Sequence, residues 1–289
     1  MVMPYTESID RKNPMLFLFL VDQSGSMSRP FGGQPNRRKA DGVADAINRL
    51  IQALVLRSSL GNEIADRYFL GLIGYNDTIN LGFGGVLQGQ YQVPISQVAN
   101  NPLRIDARIR KVDDGAGGII EQKINFQVWL DPVAQGKTKM REALEVARES
   151  VADFVSSFPA SFPPIIINIT DGMPTDSTPP DFPEVEAAAQ ALRSVTNNNG
   201  SNALLFNIHI SEENAQPIMY PSNEGQLPDK FSKLLFRMSS PMTEEMCRIA
   251  NATEASIELK KDSRGFVFQG DLVSVIQLLD IGTRVGSNR

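Results

Sequence analysis

Between Phe17 and Ser28 the sequence reads FLFLVDQSGSMS, an apolar run that ends on the carboxylate of Asp22 and continues into hydroxyls at Ser24 and Ser26. These three positions alternate, so in an extended loop their side chains point the same way, and Gly25 lets the backbone turn tightly between the serines. Oxygen donors of this kind suit a hard divalent cation such as Mg²⁺, which takes a few carboxylates and hydroxyls and keeps several waters in near-octahedral geometry. Two other stretches offer the same atoms: Gly136-Lys137-Thr138 ahead of a helical pattern, and Ile169-Thr170-Asp171-Gly172 directly after an apolar run. The alternative is that Ser24 and Ser26 cap a helix and Asp171 starts a turn. That alternative leaves Asp22, a carboxylate ending a buried strand, without a partner.

The elements that must position these residues follow from hydrophobic periodicity. Met15 to Val21 is a continuous apolar run of strand length, the pattern of a strand covered on both faces, and similar runs recur at Tyr68 to Tyr75, Ile165 to Ile169, Ala203 to Ile210 and Gly265 to Phe268. Between them lie helical patterns: Arg38 to Arg57, Lys139 to Phe154 and Val185 to Val195 carry apolar residues at i, i+3, i+4 and i+7. Ser240 with Pro241 and the acidic Glu244 and Glu245 predicts an N-cap and N1 proline opening a helix through Ile249, and Asp271 predicts the cap of a last helix with Leu272, Val275, Ile276 and Leu279 on one face. Buried strands alternating with helices predict an α/β, doubly wound architecture with a mostly parallel central sheet, in which ligands bind at the carboxyl ends of the strands. Residues 82–135 break the rhythm. They contain RIDARIRKV and IIEQKINFQVWL around the turn sequence Asp113 to Gly118, which predicts a β-hairpin inserted in one domain, 14–289, preceded by an N-terminal arm, 1–13. Ser211 to Phe231, with three prolines, reads as an irregular surface loop.

On these residues the chain resembles the von Willebrand factor A (VWA) domain family, whose metal-ion-dependent adhesion site is written D-x-S-x-S, then a distant T, then a distant D. Here the elements read Asp22-Gln23-Ser24-Gly25-Ser26, Thr138 and Asp171. The resemblance extends from about Pro14 to Gly282 and implies a Rossmann-like fold holding one Mg²⁺, with Mn²⁺ or Ca²⁺ as substitutes. Ser24, Ser26 and Thr138 would be hydroxyl ligands, and Asp22 and Asp171 would hold the ion directly or through water. It further implies a protein partner that offers an Asp or Glu to the metal, in an intracellular, bacterial or archaeal assembly with ATPase, kinase or phosphatase components. The inserted hairpin is then expected to stand near the metal face and select the partner, or else to be a solvated elaboration that covers the sheet edge.

Composition narrows the rest. A net charge of -5 and a sequence pI near 5.1 argue against nucleic-acid binding, which needs a surplus of Lys and Arg. The single cysteine, Cys247, forms no internal disulfide, the N-terminal sequence has no signal-peptide pattern, and the Met15 to Val21 run falls short of the roughly 20 residues a membrane helix takes. A cytoplasmic protein without a membrane span is the expectation. Arg29, Arg37, Arg38, Lys39, Lys137 and Lys139 surround two of the candidate loops and could steer an acidic partner toward the ion. A phosphate loop at Gly136-Lys137-Thr138 is excluded because Asp131 stands where its first glycine belongs. Serine hydrolase chemistry needs a base, and the one histidine, His209, lies inside an apolar strand and reads as a core residue. A metal-dependent phosphohydrolase also lacks an evident base beside the site. A non-enzymatic, Mg²⁺-dependent protein-binding module is the reading, with a structural VWA scaffold or a phosphohydrolase as alternatives.

Overall fold

The computed structural model describes residues 9–61, 63–113, 118–213, 216–253, 259–260 and 262–270. The helix predicted after Asp271, the tip of the hairpin and most of the N-terminal arm lie outside them. Of that arm, Ile9 is buried in the core and Asp10 accepts hydrogen bonds from the backbone of Lys12 and Asn13.

The strands in chain order are β1 (Met15–Asp22), β2 (Pro30–Phe31), β3 (Gln34–Arg38), β4 (Ser59–Leu60), β5 (Glu63–Ile64), β6 (Tyr68–Tyr75), β7 (Ile79–Leu81), β8 (Val93–Pro94), β9 (Arg104–Asp113), β10 (Ile119–Val128), β11 (Ile165–Thr170), β12 (Leu204–Ile210), β13 (Ile218–Met219) and β14 (Phe266–Gly270). The helices are α1 (Lys39–Ser58), α2 (Ile95–Asn100), α3 (Met140–Ser157), α4 (Pro183–Arg193), α5 (Lys230–Met238) and α6 (Glu244–Thr253). The main sheet runs β13-β14-β12-β11-β1-β6-β7, with β8 also on β6. Its five inner strands pair in parallel, and β7, β8 and β13 add antiparallel edges.

Every residue of β1 and β11 is buried, which is why their sequences are apolar except at Asp22, Asn168 and Thr170, whose polar groups are hydrogen-bonded. The pleat sends Phe17, Phe19 and Val21 into one core layer with Val43, Ile47 and Ile51 of α1, and Leu16, Leu18 and Leu20 into the other with α3, α4 and α5. The helix that follows β1 and the helix that follows β11 therefore cover opposite faces of two neighbouring strands. Their outgoing loops diverge, which opens a crevice at the carboxyl ends of β1 and β11.

A chain of buried amides crosses the second layer. The Tyr75 hydroxyl donates to Asn168 Oδ1 (2.8 Å), Asn168 Nδ2 to Asn207 Oδ1 (2.9 Å), and Asn207 Nδ2 to Ser239 Oγ (2.9 Å).

Three features depart from the sequence reading. Within Ser211 to Phe231 the chain forms the edge strand β13, and α5 begins at Lys230, with the Asp229 carboxylate accepting from Ser232 N (2.7 Å) at its N-cap. Ser240 does not open a helix: its hydroxyl accepts from Leu205 N (3.0 Å) and Pro241 bridges to Arg264. The helix starts at Glu244, where Thr243 Oγ1 accepts from Met246 N (3.1 Å). Residues 82–135 are not purely a surface elaboration: Phe83, Leu87, Val93, Ile95, Val98 and Trp129 are buried in the core, while the β9–β10 ribbon, paired from Arg104↔Val128 out to Asp113↔Ile119, is largely exposed. The ribbon is rooted on α1, where Asn48 Oδ1 accepts from Trp129 N (2.8 Å) and Leu130 N (3.1 Å), and where Asp45 pairs with Arg108.

Candidate metal centre

Asp22 ends β1, and both of its oxygens are engaged. Ser24 N donates to Oδ1 (2.9 Å) and Thr170 Oγ1, from the end of β11, donates to Oδ2 (2.7 Å). The side chain is fully buried, and that burial pushes its pKa up to about 6; the hydrogen bonds from Ser24 and Thr170 oppose the rise, and the neighbouring charge of Asp171 adds to it. Beyond Asp22, Ser24 Oγ and Ser26 Oγ lie 3.0 Å apart, and Ser26 Oγ donates to Asp171 Oδ1 (2.6 Å). Thr138 arrives from the chain entering α3. A Cβ placed on Gly172 would sit 3.5 Å from Ser26 Oγ and 3.7 Å from Thr138 Oγ1, so both hydroxyls border the space over that glycine.

The loops are held to one another by backbone. Gly25 N donates to the Gly136 carbonyl (3.0 Å) and Gln135 N to the Gln23 carbonyl (2.7 Å), while Thr175 N donates to the Thr138 carbonyl (2.9 Å). Gly136 has φ +82°, and a Cβ there would come 2.4 Å from Asp77 Oδ2, so this position needs glycine on two counts. Asp176, in the loop after β11, accepts from the first-turn amides of Arg141 (3.2 Å) and Glu142 (3.0 Å) and thereby fixes the start of α3.

All five residues singled out in the sequence are brought together: Asp22, Ser24, Ser26 and Asp171 through a run of hydrogen-bonded contacts, and Thr138 beside them. Three further residues belong to the cluster. Thr170 holds Asp22. Lys39, the first residue of α1, places Nζ 2.7 Å from Asp171 Oδ2 and 3.2 Å from Glu212 Oε1, with its side chain 4% exposed and that of Asp171 0%. Glu212, after β12, also pairs with Arg29 (3.0 Å). Thr170 was legible from its place before Asp171; Lys39 stood out in the sequence only as one of six basic residues near the loops, with nothing to mark its pairing with Asp171, and Glu212 carried no signal, because a loop glutamate looks like an ordinary solvated charge. Of the six basic residues near the loops, Arg29, Arg37, Arg38, Lys39 and Lys139 are paired with acids of the chain itself, which weakens their role in long-range steering.

Two carboxylates and three hydroxyls on three loops form an all-oxygen donor set that fits a hard cation. Among the described residues no group of three or more His, Cys, Asp or Glu side chains is placed to hold a metal ion, so the hydroxyls are essential to this fit. His209, beside Thr170 in the sheet, is engaged elsewhere: its ring stacks on Phe268 with centroids 4.8 Å apart, and its Nδ1 accepts from Gln269 N (3.3 Å). Burial lowers its pKa to about 4. No helix among the described residues is long and apolar enough to cross a membrane.

No family model and no curated protein matches the chain. Among solved structures it is similar to proximal thread matrix protein 1 of the mussel byssus, at 14% identity and a TM-score of 0.47 over 96% of this chain and 47% of that one. It is similar to the PilB minor pilin of Streptococcus sanguinis at 13% identity and a TM-score of 0.46, over 99% of this chain and 63% of that one. The vWF domain of the type V pili tip protein Mfa5 from Porphyromonas gingivalis aligns at 13% identity and a TM-score of 0.31, over 59% of this chain and 44% of that one. The chain thus spans less than two thirds of each of these proteins. Its α/β class rests on its own strand order and connections.

Proposed function

We propose that the chain is a Mg²⁺-dependent protein-binding module of the VWA type. Asp22, Ser24, Ser26, Thr138 and Asp171 would hold the ion, and a partner protein would offer it an Asp or Glu side chain. The observation that carries this reading is the Ser26 hydroxyl, which bonds Asp171 at the end of the neighbouring strand, touches Ser24 and borders the space over Gly172 together with the Thr138 hydroxyl, so that oxygens from three loops lie close together. A bound Mg²⁺ would supply a Lewis acid toward an incoming carboxylate; Mn²⁺ or Ca²⁺ could take its place. The chain's own residues do the rest. Thr170 and the Ser24 amide hold the Asp22 carboxylate in one orientation, burial keeps solvent from it, and the stitched loops hold Thr138 against the serines. The β9–β10 ribbon, anchored on α1 and exposing Ile105, Ile109, Ile119 and Ile120, is suited to reading the partner's surface beyond the single acid. Membership of a cytoplasmic assembly, with ATPase, kinase or phosphatase components, completes the reading and fits a chain with one free thiol.

The test is calorimetric titration of Mg²⁺ into the protein and into Asp22→Ala and Ser24→Ala, with circular dichroism to confirm folding. Saturable binding in the parent chain that both changes weaken at least about tenfold supports the assignment. Absence of binding, or binding indifferent to both, overturns it. Partner capture that survives EDTA would point instead to a scaffold whose ion site takes no part in recognition.

A further inference from the structure

The metal-site reading accounts for Asp22, the two serines, Thr138 and Asp171, but not for the ammonium group buried among them. Lys39 is 3% exposed, sits at the first position of α1, and donates to the Asp171 oxygen that Ser26 leaves open. A lysine is almost never buried without a task, because removing its charge from water is expensive unless an acid compensates it. Its position is fixed from both ends. Lys39 N donates to the Arg29 carbonyl (2.9 Å), and Asp41 accepts from Arg38 N (3.1 Å) to close the first turn. The side chain thus points from the helix start into the crevice and reaches Asp171 and Glu212 together. Without Lys39 the site would present two carboxylates to a cation; with it, one of the two is already neutralised by a positive charge the chain carries itself.

Building on that metal reading, we propose that Lys39 is a tethered counter-cation of Asp171 that weakens the site's hold on a divalent ion, and that Glu212 moderates it by sharing the ammonium. Two like charges competing for one buried carboxylate repel through a medium far less screening than water, so the effect on ion affinity is large for a single side chain. The arrangement sets the site to exchange its ion readily. It also leaves a bound ion less neutralised by the protein and hence more in need of an outside acid.

The experiment is titration of Mn²⁺ alone, read as free Mn²⁺ by electron paramagnetic resonance, into the parent chain and into Lys39→Met, Lys39→Arg and Glu212→Gln, with thermal melts to confirm folding. Lys39→Met is expected to bind Mn²⁺ at least about tenfold more tightly. Lys39→Arg, which keeps the charge, should stay close to the parent. Glu212→Gln, a change on a half-exposed residue that leaves the core intact, should weaken binding severalfold, and by less when combined with Lys39→Met. Binding by Lys39→Met where the parent chain takes up none would support the proposal in its strongest form. Parent-like affinity in Lys39→Met overturns it and leaves the metal site standing. If Lys39→Met does not fold, a Glu212→Gln affinity equal to the parent's overturns it alone. No Mn²⁺ uptake by any of the proteins overturns the metal site and this proposal together.

Discussion

Replacing Asp22 by Asn in the metal-free protein should make it more stable at neutral pH. The carboxylate is fully buried, and its pKa stands at about 6 against an ordinary 3.8. Roughly two units at 1.36 kcal/mol each amount to about 3 kcal/mol that the folded, ion-free protein gives up by keeping Asp22 charged. The sign follows from the raised value: Asp22 favours the folded state below pH 3.8, where it is protonated in both states, and that advantage is lost as pH climbs through about 6. Asn has the shape of the carboxylic acid and no charge to desolvate. The stability difference between Asp22→Asn and the parent, near zero at pH 4, should therefore grow to about 2–3 kcal/mol at pH 7.5 in EDTA. Urea unfolding followed by the fluorescence of Trp129, the one tryptophan and fully buried, measures it directly. Mg²⁺ should then reverse the order, since an ion at a thousand times its dissociation constant adds about 4.1 kcal/mol to the parent and nothing to the variant. A variant less stable than the parent at pH 7.5 in EDTA would refute the reasoning. It would mean that the bonds from Ser24 and Thr170 outweigh the burial.

Other perturbations separate the parts of the fold. His209 has a pKa lowered to about 4 by burial, with Lys39 lowering it further and the carboxylates of Asp171 and Asp229 partly offsetting this. Its neutral form stabilises the fold above pH 6.5, and that contribution is lost as pH falls toward 4, so His209→Gln should flatten the acid limb of the stability curve by about 2–3 kcal/mol between pH 6.5 and 4.5. Asn168→Leu strands the Tyr75 hydroxyl and Asn207 Oδ1 in the core and should lower the unfolding free energy by about 2–4 kcal/mol in urea titrations. Replacing residues 110–122 with a two-residue turn between Ile109 and Lys123 should leave the melting temperature and Mg²⁺ affinity intact, because the Asn48, Trp129 and Arg108 anchors remain; a change in partner selection would then belong to the ribbon alone.

The sequence revealed the interior of this protein better than its periphery. The β1 and β11 runs are unambiguous because both faces of each strand are buried, and the helical stripes of α1 and α3 because one face of each is. The sequence could point to Asp22, Ser24, Ser26, Thr138 and Asp171 as neighbours because they lie just after strands or just before a helix, where the topology gathers loops. What failed were elements whose signal is tertiary. The strand β13 is two residues long and exists only by pairing with β14. Ser240 looks like a cap, yet its hydroxyl serves the backbone of β12. Lys39 and Glu212 are distant in sequence from Asp171, and only the folded crevice makes them its neighbours.

The first three turns of α1 carry Lys39 at one end and the Asp45 and Asn48 anchors of the ribbon farther along, about 9 and 14 Å away at 1.5 Å per residue. One stiff rod therefore serves as the common ruler for the crevice at Asp171 and the ribbon. The distance between the two is set by helical rise rather than by loop adjustment, so any molecule that touched both would have to match a fixed length.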